Sequence, residues 1–313
     1  MALSVDLTLT GNLILGLFFI QRYRFLTIRQ FARITDLHHV TAGEKLRFFE
    51  HVGLLGYFGN TRPGIHGKTP KAYFLTRKGF ELLREEADIP PELLGMYKEV
   101  KIEARWAPQM YHRLQTVDLL IALELSVRRR PRLTIVQTLL EYKRVKRGNQ
   151  IISETLDFVS EEETGENKII PDAAFILENI ESNRRALFFV EMDMATERII
   201  TLSPTSQQTT LVRKFSQYDR YLKSSRFAKT YAGYGEFRSF TMLFVTLQET
   251  RVENIRQELS NLPQELARYY RLTTFARAME DFLGAVWYSR HLSDTTAYPL
   301  VREEPPISGE GRG

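Results

Sequence analysis

The chain contains 313 residues, a length that predicts two domains at about 150 residues each. Hydrophobic residues make up 43% of the sequence and charged residues 26%, which excludes a disordered, collagen-like or coiled-coil protein for the chain as a whole. Cysteine is absent. Its absence excludes disulfide bonds, thiolate zinc sites and a cysteine nucleophile, and it agrees with a cytoplasmic location. The net charge of +5 favours a polyanionic partner such as nucleic acid without requiring one.

No apolar run reaches the roughly 18 residues that a membrane-spanning helix needs. The best stretch, residues 13–20, is short and lacks the basic leader and small-residue cleavage site of a signal peptide. We therefore expect neither a membrane span nor a signal peptide.

The N-terminal part of the sequence predicts three helices. Apolar residues at helical spacing follow Gly11 and indicate a first amphipathic helix. Thr27 predicts the N-cap of a second helix over residues 28–34, and Thr41 predicts the N-cap of a third helix that ends at Gly53. This succession is typical of a helix-turn-helix.

Two short apolar runs, residues 54–58 and 72–75, follow the third helix and predict two strands. The segment between them, residues 59–71, is rich in Gly and Pro, contains four basic residues and has no acid. A further helix begins near Thr76. A basic hairpin after a helix-turn-helix predicts a winged helix.

In a winged helix, the third helix enters the major groove of DNA and the hairpin lies along phosphates or in the minor groove. The architecture therefore predicts double-stranded DNA as a partner. The expected contact residues are polar or basic positions of the third helix and of the hairpin: Lys45, Arg47, His51, Arg62, Lys68 and Lys71. The alternative is a winged helix that serves protein contacts or dimerisation.

The polar, Pro-containing stretch up to Pro108 indicates a connector, and we place the domain boundary between residues 104 and 105. Beyond it, helices and strands alternate, which predicts an α/β domain with a mixed central sheet over residues 105–298. Predicted helices cover residues 110–127, 211–221, 252–262 and 275–283, and predicted strands cover 133–142, 151–159, 168–177, 186–193 and 240–247. Residues 299–313 are expected to form a disordered tail.

Two of these strands carry acids. If the strands form one hairpin, Asp172 and Glu191 lie close together, and strand alternation places Glu191 and Asp193 on one face. Converging carboxylates repel each other unless a cation neutralises them. Oxygen ligands suit Mg²⁺ or Mn²⁺, which can activate water and stabilise charge on a phosphate. The alternative is that the acids end their strands and pair with nearby arginines, Arg184, Arg185 or Arg198.

The sequences IIPD at 169–172 and FFVEMD at 188–193 resemble the PD-(D/E)XK nuclease superfamily, whose fold is that of a restriction endonuclease. That superfamily usually has a lysine two residues after the Glu, where this chain has Asp193. The resemblance implies that a lysine from elsewhere replaces it. Lys214 is the first candidate and Lys143 the second.

The whole layout is similar to the replication-relaxation family, which includes the MOBC-class relaxases of mobilisable plasmids. The similarity rests on YHRLQTVDLLIALE at 111–124, FFVEMDMATE at 188–197 and KFSQY at 214–218, and it extends over roughly residues 10–290. It implies a site in which Mg²⁺ or Mn²⁺ is held by Glu141, Asp172, Glu191 and Asp193, while Lys214 contacts the scissile phosphate.

The resemblance implies a DNA-binding, metal-dependent endonuclease that nicks a plasmid or mobile-element origin during mobilisation or conjugation. We expect water or a tyrosine, Tyr218 or Tyr221, as the nucleophile; the alternative for both tyrosines is a core position on their helix. Asp193 at the usual lysine position keeps an alternative open, a catalytically inactive DNA-binding regulator or replication-control factor. Other relaxosome or replication proteins and a second copy of the chain are further candidate partners.

Overall fold

The structure, a computed structural model, describes residues 11–59, 70–100, 108–194, 199 and 210–301. Packing divides the chain into two compact units, Met1–Ile121 and Ala122–Gly313. The division falls inside one long helix, and the domain boundary between residues 104 and 105 stays a prediction. So does the disordered tail, which lies outside the described residues from position 302 onwards. No helix in the described ranges is long and apolar enough to cross a membrane.

The N-terminal unit is a winged helix, as predicted. Its short strand β1 and the two hairpin strands form an antiparallel sheet in the order β1-β3-β2. The elements in chain order are α1 (Gly11–Tyr23), β1 (Leu26–Thr27), α2 (Ile28–Thr35), α3 (His39–His51), β2 (Leu55–Phe58), β3 (Ala72–Leu75), α4 (Arg77–Glu86), α5 (Pro91–Leu94) and α6 (Pro108–Arg128). Arg62 and Lys68 of the predicted hairpin tip lie outside the described residues.

The starts of α2 and α3 show how local sequence sets the helix-turn-helix. The Thr27 side chain accepts a hydrogen bond from the Gln30 N–H, and Gln30 Oε1 accepts one from the Thr27 N–H, so the predicted cap is a full capping box. The predicted cap at Thr41 is wrong. His38 caps α3 instead, because its Nδ1 accepts from the Val40 N–H at 3.4 Å. The third helix therefore begins two residues before Thr41.

The C-terminal unit is built on a mixed sheet, as predicted. In the part of the chain that the structure describes, seven strands pair in the order β14-β13-β12-β11-β10-β9-β4. Strands β10, β11 and β12 are parallel to one another, and their outer neighbours are antiparallel. The elements are β4 (Leu133–Leu140), β5 (Arg144–Arg147), β6 (Gln150–Ser153), β7 (Asp157–Phe158), β8 (Lys168–Ile169), β9 (Ala173–Asn179), β10 (Arg184–Asp193), α7 (Leu211–Ser224), α8 (Arg226–Thr230), β11 (Phe240–Thr246), α9 (Glu249–Leu259), β12 (Tyr270–Thr274), α10 (Phe275–Glu280), β13 (Trp287–Ser289) and β14 (Ala297–Tyr298).

Strand β10 is buried on both faces, which explains its nearly continuous apolar sequence. Phe189 belongs to a core cluster that includes Phe215 of α7 and Val252 of α9. The next residue back, Phe188, stacks on Phe175 of β9 with ring centroids 4.7 Å apart. Helices α7 and α9 thus cover one face of the strand whose end carries Glu191.

The two predicted strands 151–159 and 168–177 are each interrupted in the structure. Residues of the first form β6 and β7, which belong to two different small sheets. The second is split into β8 and β9 around Pro171, whose nitrogen has no hydrogen for a sheet ladder. Pro171 therefore ends one pairing immediately before Asp172.

A glycine in α4 allows this helix to pack against the end of α3. The Leu54 carbonyl accepts hydrogen bonds from the Thr76 N–H and hydroxyl, each at 3.0 Å. A Cβ at Gly79 would overlap that carbonyl oxygen, whereas a Cβ at Gly43 in α3 would lie 3.7 Å from Ile28, an ordinary contact distance.

We expect Gly79→Ala to lower the free energy of unfolding by about 1–3 kcal/mol, because the backbone at Leu54 must move. Gly43→Ala is the matched control, and it should raise stability by about 0.5–1 kcal/mol through helix propensity. Urea unfolding followed by circular dichroism measures both. Equal effects of the two substitutions would contradict the packing described for α4.

Candidate functional site

The antiparallel pairing of β9 with β10 brings Asp172 and Glu191 together. The last register pair is Ala173 with Val190, so the next residues along the two strands are Asp172 and Glu191. Asp172 Oδ2 accepts a hydrogen bond from the Met192 N–H at 2.8 Å. This bond holds the Asp172 carboxylate against the end of β10.

Glu191 is only 1% exposed, and α7 supplies its partners. Tyr218 donates a hydrogen bond from its hydroxyl to Glu191 Oε1 at 2.5 Å. Lys214 Nζ lies 2.5 Å from Glu191 Oε2. Since Lys214 and Tyr218 are four residues apart, they lie on one face of the helix. The structure thus places the predicted lysine directly at the predicted glutamate, and we call Asp172, Glu191 and Lys214 the acid–lysine centre.

Burial raises the pKa values of both Glu191 and Tyr218. Desolvation raises the pKa of the Glu191 carboxyl above its usual value, Lys214 opposes the shift, and the Asp172 charge adds to it. Desolvation, and then the neighbouring Glu191 carboxylate, raise the pKa of the Tyr218 hydroxyl well above its usual value. A strongly shifted acid beside a specific cation is typical of functional sites, although structural ion pairs also show it.

Asp193 is held by a cation that the sequence did not indicate. Arg251 of α9 donates from Nε to Asp193 Oδ2 and from Nη2 to Oδ1, the latter at 3.0 Å. The Thr246 hydroxyl of β11 donates to the same Oδ2 at 3.2 Å. This is a fork-shaped arginine–carboxylate pair. Nothing local in the sequence predicts it, because Arg251 lies 58 residues further along the chain.

Glu141, the fourth predicted acid, directly follows β4 and is the cross-strand neighbour of Asp172. Its N–H donates to the Asp172 carbonyl at 3.0 Å, which extends the pairing of β4 with β9 by one step. Lys143, the second lysine candidate, follows two residues later, where the chain leaves the sheet. The structure does not pair Lys143 with Glu191, whose cation is Lys214.

The described ranges contain no group of three or more His, Cys, Asp or Glu side chains that is arranged to hold a metal ion. Asp193 is bound to Arg251, so it does not extend the pair formed by Asp172 and Glu191. The metal role predicted for the four acids stays a prediction. The two carboxylates of the acid–lysine centre are the donor set that the geometry offers.

Both tyrosines proposed as nucleophiles are buried. Tyr218 is 2% exposed and Tyr221 is fully buried. The Tyr221 hydroxyl donates to Asp157 of β7, in a pair separate from Glu191, and burial raises the pKa of Tyr221 far above its usual value. Neither hydroxyl faces solvent, where a DNA strand would approach.

In the winged helix, Lys45, Arg47 and His51 are all exposed on α3, as the DNA-binding prediction requires. The structure adds two exposed apolar side chains of the same helix, Val40 at 56% and Phe48 at 40%. Apolar groups of this kind can contact thymine methyl groups in the major groove. Sequence analysis missed Val40 because it placed the start of the helix too late.

Lys71 is exposed and lies immediately before β3, where it packs against Tyr57 of β2. Its Nζ lies 3.6 Å from the centroid of the Tyr57 ring and 3.9 Å from Glu50 Oε2. A cation in this position is held against the hairpin by the aromatic face. Lys71 therefore belongs to the hairpin surface next to α3.

The fold and the centre define a winged-helix protein whose second unit is a mixed α/β sheet with an acid–lysine centre. The sequence model of the replication-relaxation family matches residues 17–236, which is more than half of the chain. The chain belongs to the replication-relaxation family.

Comparison with curated proteins gave no match. Among solved structures, Bacillus subtilis PadR in complex with operator DNA is similar at 16% identity, over 39% of this chain and 73% of that chain, with a TM-score of 0.23. A score this low does not establish a common fold. The winged helix is therefore assigned from its own helices and strands.

We expect Glu191 and Lys214 to depend on each other for stability. Lys214→Met removes the cation of a buried carboxylate and should lower the free energy of unfolding by about 2 kcal/mol, less than for a fully buried pair because Lys214 is 25% exposed. The double variant with Glu191→Gln should lose at least about 1 kcal/mol less than the sum of the single losses.

Urea unfolding of the four proteins in this cycle measures the coupling. Lys223→Met is the matched control, since Lys223 lies on the same helix in an exposed pair with Glu265 and should change stability by less than about 0.5 kcal/mol. Strictly additive losses would show that the ion pair adds nothing to stability.

Proposed function

We propose that this chain binds duplex DNA through its winged helix and nicks one strand at a replication or plasmid-mobilisation origin. The observation that carries the proposal is the acid–lysine centre. Asp172 and Glu191 meet through the pairing of β9 with β10, and Lys214 reaches Glu191 from α7. This set is similar to the PD-(D/E)XK arrangement, with the lysine supplied by a helix.

The two carboxylates of the acid–lysine centre could supply part of the coordination shell of Mg²⁺ or Mn²⁺. Mg²⁺ at phosphate-transfer sites uses one or two carboxylates and completes its shell with substrate phosphates and water. Asp172 and Glu191 are the residues that would hold it. Such an ion supplies Lewis acidity, which stabilises charge on the phosphate and lowers the pKa of bound water.

Two side chains of α7 have the remaining roles, contact with the phosphate and orientation of the Glu191 carboxylate. Lys214, whose side chain is 25% exposed, is positioned to contact a phosphate oxygen while it stays near Glu191. Tyr218 keeps the Glu191 carboxylate oriented through its hydrogen bond. Because both tyrosine hydroxyls are buried and bonded to carboxylates, water is the nucleophile that this arrangement favours.

A second candidate function is a DNA-binding regulator that does not cleave. The pairing of Asp193 with Arg251 and of Glu191 with Lys214 favours it, because each acid already has a cation of the chain. In this case the winged helix has the same role and the acid–lysine centre is structural.

The winged helix is tested by the salt dependence of DNA binding. Each lost phosphate contact should reduce the slope of log K against log salt by about 0.9 and weaken binding. We expect this for Arg47→Gln on α3, measured by fluorescence anisotropy with a labelled duplex of random sequence. Arg84→Gln on α4 is the control, because Arg84 is exposed and paired with Glu81. Identical slopes for both variants and the wild type would count against α3 as the DNA-contacting helix.

Strand cleavage is tested with supercoiled origin DNA and Mn²⁺. Asp172→Asn and Glu191→Gln should each reduce nicking by about 100-fold or more, because each removes one of the two carboxylates that would hold the divalent ion at the reacting phosphate. Glu178→Gln removes an acid of β9 that is paired with Arg185 away from the centre, and it should nick normally. Specific binding without nicking under Mg²⁺ or Mn²⁺ would reject the nuclease and leave the regulator.

A further inference from the structure

A basic hairpin leaves the central sheet next to Asp172. Strands β5 and β6 pair antiparallel from Arg144 with Ser153 to Arg147 with Gln150. Their turn contains Gly148, whose φ of 58° lies in the left-handed region. Residues 142–153 include four basic side chains and no acid. The proposed function gives this segment no role.

The hairpin has two different faces. Cross-strand partners point to the same side of a hairpin, and the register pairs Lys146 with Ile151. Lys146 is exposed, and Ile151 is 76% exposed. On the opposite face, the cross-strand pair Val145 and Ile152 is half-buried, and Arg147 Nη1 donates to the Leu156 carbonyl at 3.2 Å. One face is therefore turned towards the unit, and the other presents a lysine beside a large apolar side chain.

The base of the hairpin is fixed to the segment that contains Asp172. The Ser153 hydroxyl donates to the Glu141 carbonyl at 2.6 Å, and the Glu141 N–H donates to the Asp172 carbonyl at 3.0 Å. The Thr155 hydroxyl donates to the Pro171 carbonyl at 2.7 Å. These bonds attach both ends of the hairpin to Pro171 and Asp172, so its position relative to the acid–lysine centre is set by two hydroxyl-to-carbonyl bonds and one backbone bond.

We propose that the outward face of the β5–β6 hairpin is a second DNA-binding element, which holds the strand next to the acid–lysine centre. The inference rests on the proposed DNA binding and deepens it. Arg144 and Lys146 contact backbone phosphates, and Ile151 packs against sugars and base edges. A two-stranded ribbon fits a DNA groove, and exposed isoleucine is one of the side chains that proteins insert beside base steps.

Proximity to DNA is tested by tethered cleavage. Because the chain has no cysteine, Asn149→Cys in the hairpin turn introduces a single attachment point for an iron–EDTA reagent. With bound duplex DNA, we expect strand scission localised to a few adjacent nucleotides. Lys223→Cys on α7 is the matched control and should give background scission. Equal background for both variants, on DNA that the full chain binds, would overturn the proposal.

The contacts themselves are tested by salt dependence. Lys146→Gln should reduce the salt slope by about 0.9, while Lys223→Gln leaves it unchanged. Ile151→Ser should weaken binding at fixed salt without altering the slope, since no charge is removed. Unchanged thermal unfolding of these variants, whose substitutions are on an exposed surface, excludes misfolding as the cause.

The outcomes separate this inference from the proposed function. If Arg47→Gln changes the salt slope and Lys146→Gln does not, the hairpin is not a DNA contact and binding by the winged helix stands. If the wild-type chain binds no duplex DNA at any salt, both the proposed DNA binding and the inference fail. Reduced slopes for both variants, with scission from position 149, support the second element.

Discussion

Burial of the Glu191 carboxylate is the constraint that organises the C-terminal unit. Removing an ionised carboxylate from water costs several kcal/mol unless a cation and hydrogen-bond donors replace the lost hydration. Lys214 and Tyr218 supply both from one face of α7. The helix must therefore cross β10 at Glu191, and the same crossing places Phe215 in the core over the sheet. Core packing and the acid–lysine centre are consequences of one helix position.

Glu191 and Asp193 share a strand face, yet they are paired with cations of different kinds, a lysine and an arginine. Arg251 holds Asp193 through two hydrogen bonds from a planar group, a geometry that stays fixed. Lys214 is a compact charge on a flexible stem, and a quarter of its side chain is exposed. The lysine is therefore the more mobile of the two cations. In the proposed function, the chemistry of this edge centres on Glu191 rather than on Asp193.

Much of the fold follows from the sequence because its signals are local. The capping box at Thr27, the wing strand β3 and the strong apolar run of β10 are recognised from a few adjacent residues. Even Lys214 was indicated, since a lysine in the helix after the Glu191 strand is a local signal. The start of α3 was missed because histidine is an unusual cap, and β12 was missed because its sequence, YRLTT, is short and half polar.

The features of the site that the sequence did not predict depend on contacts between residues far apart in the chain, which no local pattern indicates. Arg251 reaches Asp193 only because β10 and β11 are parallel neighbours, which places the start of α9 beside the end of β10. Strand β5, RVKR, has too few apolar residues to predict a strand, and the basic residues of the β5–β6 hairpin resemble those of any solvated loop. Register and strand order decide both features, and these are properties of the assembled sheet.

Strand β4 connects the acid–lysine centre to the β5–β6 hairpin. It is the edge of the sheet next to β9, and an unprotected edge can pair with another chain. Its pairing ends where Leu140 meets Ala173, and the chain then turns out into the hairpin instead of extending the edge. The step that ends the edge strand also sets the backbone of Asp172 through the Glu141 N–H. A slip of β4 by one residue would reverse which of its side chains face the core. It would also displace Glu141 and the hairpin relative to Asp172, which the pairing of β9 with β10 holds in place.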